Sequence, residues 1–276
     1  MSKGRLLAHI SDVHFGREDP RVVEGLIEAI TKAGPDVVVV SGDLTQRAKK
    51  RQFRAAREFL QALPKVPQIV VPGNHDVSTT NLMERALRPL SRYRRYITED
   101  LSPFYADDEV ALAGINTVRV LSTKDGRINS RQVAVACEQI RRAKEGAVRV
   151  VITHHPMDLP ATDMKHALVA RSRMAMKSFA QSGVDLFLSG HLHAGLTIAT
   201  SARYKVQGFS AVVVHAGTAV STRTRSEANA WNLIRIEGNA MAIRQMLWSG
   251  KRFVPEGEDR YEKNADGWAL VDRSKP

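Results

Sequence analysis

One cysteine, Cys137, in 276 residues leaves no partner for an intramolecular disulfide, so the fold is held without covalent cross-links. That usage suits a reducing compartment. No apolar run approaches the ~20 residues of a membrane-spanning helix. The opening MSKGRLLAHISD holds only a brief apolar stretch, too short for a secretory signal, and the cytoplasm is the expected place of work. Repeats, low-complexity tracts and a clear interdomain linker are also missing. Acid is in short supply: 29 Asp plus Glu face 41 Lys plus Arg, a formal charge of +12. Such an excess fits anionic partners, whether nucleic acid, lipid head groups or phosphorylated substrates, unless it is a general basicity without a partner.

What is present describes a soluble globular chain, 43% hydrophobic and 25% charged. Its length allows one large domain over 1–276 with a substantial core. Arg5 to Ser11 reads as a buried strand that stops at Asp12-Val13-His14. Asp19-Pro20 then opens a helix whose apolar stripe is Val22, Val23, Leu26, Ile27 and Ile30, closed by Gly34-Pro35. Four consecutive valines, 37 to 40, mark a strand covered on both faces, ending at Gly42-Asp43. A helix with Phe53, Ala56, Phe59, Leu60 and Leu63 on its inner face follows. The strand from Gln68 then runs into Gly73-Asn74-His75-Asp76. Val148 to Thr153 leads to His154-His155, and Val184 to Leu188 to Gly190-His191-Leu192-His193. Strands alternating with helices predict an α/β core with a largely parallel sheet, which binds ligands beyond its carboxyl ends.

The last third is β-rich, from Leu196 through Trp248, and reads as a second sheet or an antiparallel extension of the first. From 81 to 131 the pattern weakens. A helix is expected around Met83 to Tyr96, and the segment reads as a basic insertion or lid near the strand ends.

Each polar cluster alone has a plain structural reading: Asp12 as a cap, Asp43 as a turn, Asn74 in a left-handed turn, each His as a satisfied polar group. All of them, however, sit directly after a buried strand. Asp12, His14, Asp43, Asn74, His154, His191 and His193 would make an O/N donor set suited to Mn, Fe, Zn or Co rather than to Ca or Cu(I). Seven donors exceed what one catalytic ion needs and match two ions that share a carboxylate.

The ordered blocks Asp12-x-His14, Gly42-Asp43, Gly73-Asn74-His75-Asp76, His154 and Gly190-His191-x-His193 resemble the calcineurin-like metallophosphoesterases over most of the chain. The resemblance implies a metallo-dependent phosphatase fold, a central two-sheet β-sandwich flanked by helices. It implies two divalent ions, one held by Asp12, His14, Asp43 and His193 and the other by Asp43, Asn74, His154 and His191. It also implies a phosphoester hydrolase in which a metal-bridging hydroxide attacks phosphorus and His75 acts on the substrate. Asp76 either orients His75 or closes the turn, and His155 belongs to local packing or stands behind the ligands.

GDLTQ at 42–46, GNHD, His215-Ala216-Gly217-Thr218 and Asn229 to Asn232 are nearest to the bacterial cyclic-nucleotide-type phosphodiesterase branch. A phosphodiester, small-molecule or lipid-borne, is therefore the expected substrate. Phospholipid and UDP-sugar-lipid hydrolases, phosphomonoesterases and nucleases share the family, although the usual UDP-diacylglucosamine hydrolase has Arg where this chain has His75. A non-catalytic scaffold would be expected to lack ligands, and none is missing. The basic run Arg47 to Arg57 and the cluster Arg85, Arg88, Arg92, Arg94 and Arg95 either bind anionic lipid at the inner membrane surface, or nucleic acid, or are simply solvated. Arg92, Arg94 and Arg95 are further expected to hold the second arm of a diester.

Overall fold

The computed structural model describes residues 4–78, 82–120, 122, 124–160, 162–163, 166–200, 204, 209–222 and 227–274. Two mixed sheets pack face to face. In the first, β1 (Arg5–Ile10), β2 (Val37–Val40) and β3 (Gln68–Val70) run parallel. On the other side of β1 the antiparallel strands β10 (Ala230–Glu237), β11 (Ala240–Trp248), β12 (Phe253–Asn264) and β13 (Gly267–Ser274) continue it. The second sheet has the order β4 (Phe104–Ala106), β5 (Val110–Gly114), β6 (Val148–Ile152), β7 (Leu186–Ser189), β9 (Val212–His215), β8 (Leu196–Ala199).

The valine run shows why the sheets stack. Val37 and Val39 face the second sheet among Leu7, Leu112, Ile152 and Leu188, whereas Val38 and Val40 face the helices. Each such burial is worth roughly 1.5–3 kcal/mol, so a strand with no polar side chain is stable only between two covered faces. Helices α1 (Pro20–Ala33), α2 (Lys50–Ala62) and α4 (Ser91–Tyr96) cover the first sheet. Helices α5 (Ser130–Arg141) and α6 (Ser172–Gln181) cover the second. α1 begins and ends as its sequence predicts: the Asp19 carboxylate accepts from Arg21 N, Pro20 is the first helical residue, and Gly34 stops the helix at φ 61°.

The segment expected as an insertion divides. Residues 79–81, Asn81 among them, lie outside the described residues. The single helix expected from Met83 to Tyr96 is two, α3 (Leu82–Leu87) and α4, because Pro89 cannot continue the first. Residues 104–106 and 110–114 are sheet strands, and β5 is buried along its whole length, so this part is core rather than lid. Its short VALAG run lacks a helical or alternating period, which hid it. The β-rich last third proves to be both things at once: β10 to β13 extend the first sheet, while β8 and β9 complete the second. β12, FVPEGEDRYEKN, has almost no strand signal. Its Pro255 is accommodated at a bulge, where the pairing steps from Gln245↔Gly257 to Met246↔Pro255.

Candidate metal centre

The carboxyl ends of β1, β2, β3, β6 and β7 meet at one edge of the sandwich, and the loops that leave them are zipped together by their backbones. Asp12 N donates to Gly42 O, His14 N to Asp43 O, Thr153 N to Leu188 O and Gly190 N to His154 O. Five chemical residues, Asp12, His14, Asp43, His191 and His193, adopt left-handed φ between 48° and 72°. Non-glycine residues reach that region only where their surroundings over-determine it, at a cost on the order of 1–3 kcal/mol each. Two glycines permit the crowding. A Cβ on Gly73 would lie 2.1 Å from Asp43 Oδ1, and one on Gly190 1.8 Å from Ser11 Oγ and 2.5 Å from Asp12 Oδ2.

All seven expected donors come together, and all but His191 are buried. In the first group, Asp12 Oδ1 lies 3.5 Å from His14 Nε2 and 3.7 Å from His193 Nε2, with Asp43 Oδ2 3.7 Å from His14 Nε2. In the second, His154 Nε2 lies 3.4 Å from Asp43 Oδ1, 3.1 Å from Asn74 Oδ1 and 3.3 Å from His191 Nδ1. Asn74 Oδ1 is also 3.1 Å from His191 Nδ1. With metal–ligand bonds of about 2.0–2.2 Å, neighbouring ligand atoms stand roughly 3.0–3.6 Å apart, so the spacing is that of a coordination shell.

Proton bookkeeping points the same way. His154 Nδ1 donates to Ser41 O at 2.8 Å, which leaves Nε2 as a lone pair in the neutral ring, aimed at a carboxylate and an amide oxygen. Electron pairs converge so only around a proton or a cation. Asp12 Oδ1 is buried with no hydrogen-bond donor, while Asp12 Oδ2 accepts from His191 N at 3.0 Å. Burial disfavours charge on Asp12, yet the imidazoles of His193, His14 and His154 hold its carboxyl below the usual range. Asp43 is likewise held low against its burial, by His154 and His14. Burial opposes a charged His154, but Asp43 and Asp12 raise it to about 9. The buried, donor-poor oxygens and converging imidazoles fit divalent ions, and three of the four tight His/Asp groups at this edge contain Asp12 or Asp43.

His75 lies beside these donors, close enough to His14 and Asp43 to form a further tight group with them. Its Nδ1 donates to Gln46 O at 2.8 Å, and its ring meets that of His14 edge-on at 4.8 Å. Asp76 does not reach the His75 ring. Its carboxylate accepts from Gly73 N, Leu44 N, Thr45 N and Thr45 Oγ1 at 2.9–3.2 Å. Of the two roles open to it in the sequence, these bonds are those of turn closure, while Gln46 O accepts from the His75 ring. Burial and the neighbouring Asp43 push Asp76 up to about 6, against those donors. His155 uses both nitrogens elsewhere: Nε2 donates to Lys124 O at 3.0 Å, so Nδ1 accepts from Thr117 Oγ1 at 2.8 Å. It stands behind His154 and His191 and holds Thr117 and Lys124.

Other partners were not readable as such. Thr218 Oγ1 bonds His193 Nδ1 at 2.7 Å, and Asn229 Nδ2 holds Thr218 O and Ser221 O. The HAGT and NAWN stretches flagged in the sequence therefore act by orienting a histidine. Of the arginines expected to hold a second arm, Arg92 and Arg94 have protein partners and Arg95 is exposed beside the Tyr96 ring; in the wider cluster Arg85 is occupied too. Arg85 bonds Ser78 O, Val120 O and Ser122 O; Arg92 bonds Ala48 O and Glu84; Arg94 bonds Glu99.

Residues 6–195 match the calcineurin-like phosphoesterase family, and the chain belongs to it. Among curated relatives, the glycerophosphodiester phosphodiesterase GpdQ of Enterobacter lignolyticus is 29% identical over 177 residues, 58% of this chain and 60% of that protein. This chain thus spans less than two thirds of that relative. A cAMP/cGMP dual specificity phosphodiesterase of Mycobacterium tuberculosis is 25% identical over 298 aligned positions, covering 98% of this chain and 89% of that one. The fold is shared with a dimetal phosphatase from Danio rerio (TM-score 0.58, 14% identity, 87% of this chain and 95% of that one). It is also shared with a purple acid phosphatase from yellow lupin (TM-score 0.62, 11% identity, 92% and 53%). These neighbours establish the metallo-dependent phosphatase fold, two mixed sheets flanked by helices. Among the described residues no helix is long and apolar enough to cross a membrane.

Proposed function

We propose that this chain is a dinuclear metal-dependent phosphodiesterase. The observation that carries the reading is Asp43, whose two oxygens face different groups: Oδ2 the His14 side and Oδ1 the His154 side. Asp12, His14, Asp43 and His193 would hold one ion, and Asp43, Asn74, His154 and His191 the other, drawn from Mn, Fe, Zn or Co. When bound, such a pair supplies Lewis acidity to the phosphoryl oxygens and a water acidic enough to attack at neutral pH. The protein's own part is orientation and proton transfer. With Nδ1 donating to Gln46 O, the His75 Nε2 is left to face the leaving oxygen, and in the imidazolium form, with both nitrogens protonated, it gives its Nε2 proton to that oxygen and becomes the neutral ring. Asp76 and Thr218 act through others, the first on the Asp43 loop and the second on His193. The names of the bacterial relatives favour a diester over a monoester. The free, buried Cys137 is consistent with work in the cytoplasm.

The test is turnover of metal-reconstituted protein on bis-p-nitrophenyl phosphate against p-nitrophenyl phosphate, with and without His75→Ala. We expect the diester to be faster, and the variant to keep both metals while losing ~10²- to 10⁴-fold in kcat on a diester with a poor leaving group. The loss should shrink with p-nitrophenolate, which needs less protonation. A monoester preference of tenfold or more would replace the phosphodiesterase reading with a phosphatase.

A further inference from the structure

Helix α3 is built inside out. Met83 and Leu87, one turn apart on one face, are 73% and 75% exposed, the most exposed large hydrophobic residues described. The residue turned inward is Arg85, whose guanidinium is buried on the carbonyls of Ser78, Val120 and Ser122. A helix selected only for packing would bury Leu87 and leave the arginine in water. Here a satisfied cation anchors the helix so that the apolar pair stays outside.

The surroundings of that pair are cationic. Arg88 follows Leu87, and Arg94 and Arg95 are exposed on α4, which packs on α2 with its exposed Lys50, Arg51, Arg54 and Arg57. Of the acids there, Glu84 is tied to Arg92 and Glu99 to Arg94, which leaves Glu58 and Asp100 exposed among the more numerous cations. The helix also lies beside the metal centre. Arg85 holds Ser78, two residues past Asp76, and Arg92 holds Ala48 O, two residues past Gln46.

We propose that the α3–α4 face docks on an anionic lipid bilayer, with Met83 and Leu87 entering the acyl boundary and Arg88 and Arg95 contacting lipid phosphates. Protruding apolar side chains within a basic field match a surface that is anionic outside and apolar just beneath. Nucleic acid would engage the arginines but offers no interior for Met83 and Leu87. A second copy carries the same positive charge and repels. Docking would hold the edge with the metal centre close to the lipid head groups. It is independent of the diester reading, because binding is measured without turnover.

The test is co-sedimentation of the full chain with phosphatidylcholine vesicles, with and without phosphatidylglycerol. Binding is expected only with the anionic lipid. M83D/L87D should weaken it at least about tenfold, while L270D/V271D, with the same change of charge on β13, should leave it within about twofold of wild type. Arg88→Gln and Arg95→Gln should each weaken it about fivefold. M83S/L87S, which adds no charge, should reproduce the loss, and its thermal melt should match wild type because both side chains stand in solvent. Equal losses in the two aspartate pairs would reduce the effect to net charge and overturn the proposal. So would a dimer in solution that M83S/L87S abolishes, or tighter binding to a single-stranded oligonucleotide than to the vesicles.

Discussion

The loops at the strand ends and the β12–β13 hairpin are both rich in polar residues, yet they are opposites. In the loops, Asp12, His14, Asp43 and His154 are buried with left-handed turns, crowded glycines and carboxylates pressed against imidazoles. The left-handed turns and the burial of these polar groups oppose folding, and the covered sheets beneath must help hold them in place. In the hairpin, charges lie in solvent and pair across the ladder, as Arg273 does with Asp259. One buried clamp ties it to the second sheet: Asp185 accepts from Trp268 Nε1 at 2.8 Å and Lys263 Nζ at 2.6 Å. Polarity in the first region is maintained for chemistry at the expense of stability, and in the second for solubility around a structural staple.

The sharpest way to break this contrast is at Asp43. Asp43→Ala should strip both metals and lower turnover below about 1% of wild type, beyond the ~10- to 100-fold lost when a group behind a ligand is removed. Elemental analysis that finds two metals in an active variant would refute the shared carboxylate. The mirror experiment is Trp268→Ala in the hairpin. Denaturant unfolding should show a loss of about 3–5 kcal/mol, mainly from the cavity, with metal stoichiometry intact, because Asp185 keeps Lys263 and Arg149 N as donors. Should metal occupancy fall with stability, the two regions are not separable as described.

A smaller effect lies between the regions, at His215. It is fully buried, with Nε2 donating to Asp158 O and Nδ1 bonded to Ser189 Oγ. Burial lowers its pKa to about 4 from the model-peptide 6.5. The native state keeps the ring neutral, whereas the unfolded chain protonates it below pH 6.5. Its contribution is therefore complete above pH 6.5 and is lost as the pH falls toward 4, roughly 3 kcal/mol over that window. His215→Asn should flatten the acid limb of a stability-against-pH curve by up to one proton, whatever its effect at pH 7. An unchanged slope would mean that His215 does not titrate with unfolding.

Much of this was legible in the chain. The valine run at 37–40 required two covered faces, Asp19-Pro20 and Gly34 bounded a helix, and five polar clusters each followed a buried strand. Those features are local, and local chemistry fixes them. What the chain could not show is set by residues far apart. VALAG at 110–114 becomes a central strand only because β6 and β4 flank it, and the charged β12 becomes one only through its neighbours in the ladder. Asp76 and His75 are adjacent in sequence, yet the carboxylate turns to the amides of the Asp43 loop while the imidazole turns to Gln46 O. The sequence alone determined which residues would be candidates for a metal centre, and the fold brings those seven together. Only the tertiary structure decided which atom of each faces inward, because a side chain's direction depends on backbone turns and hydrogen-bond partners supplied by other strands.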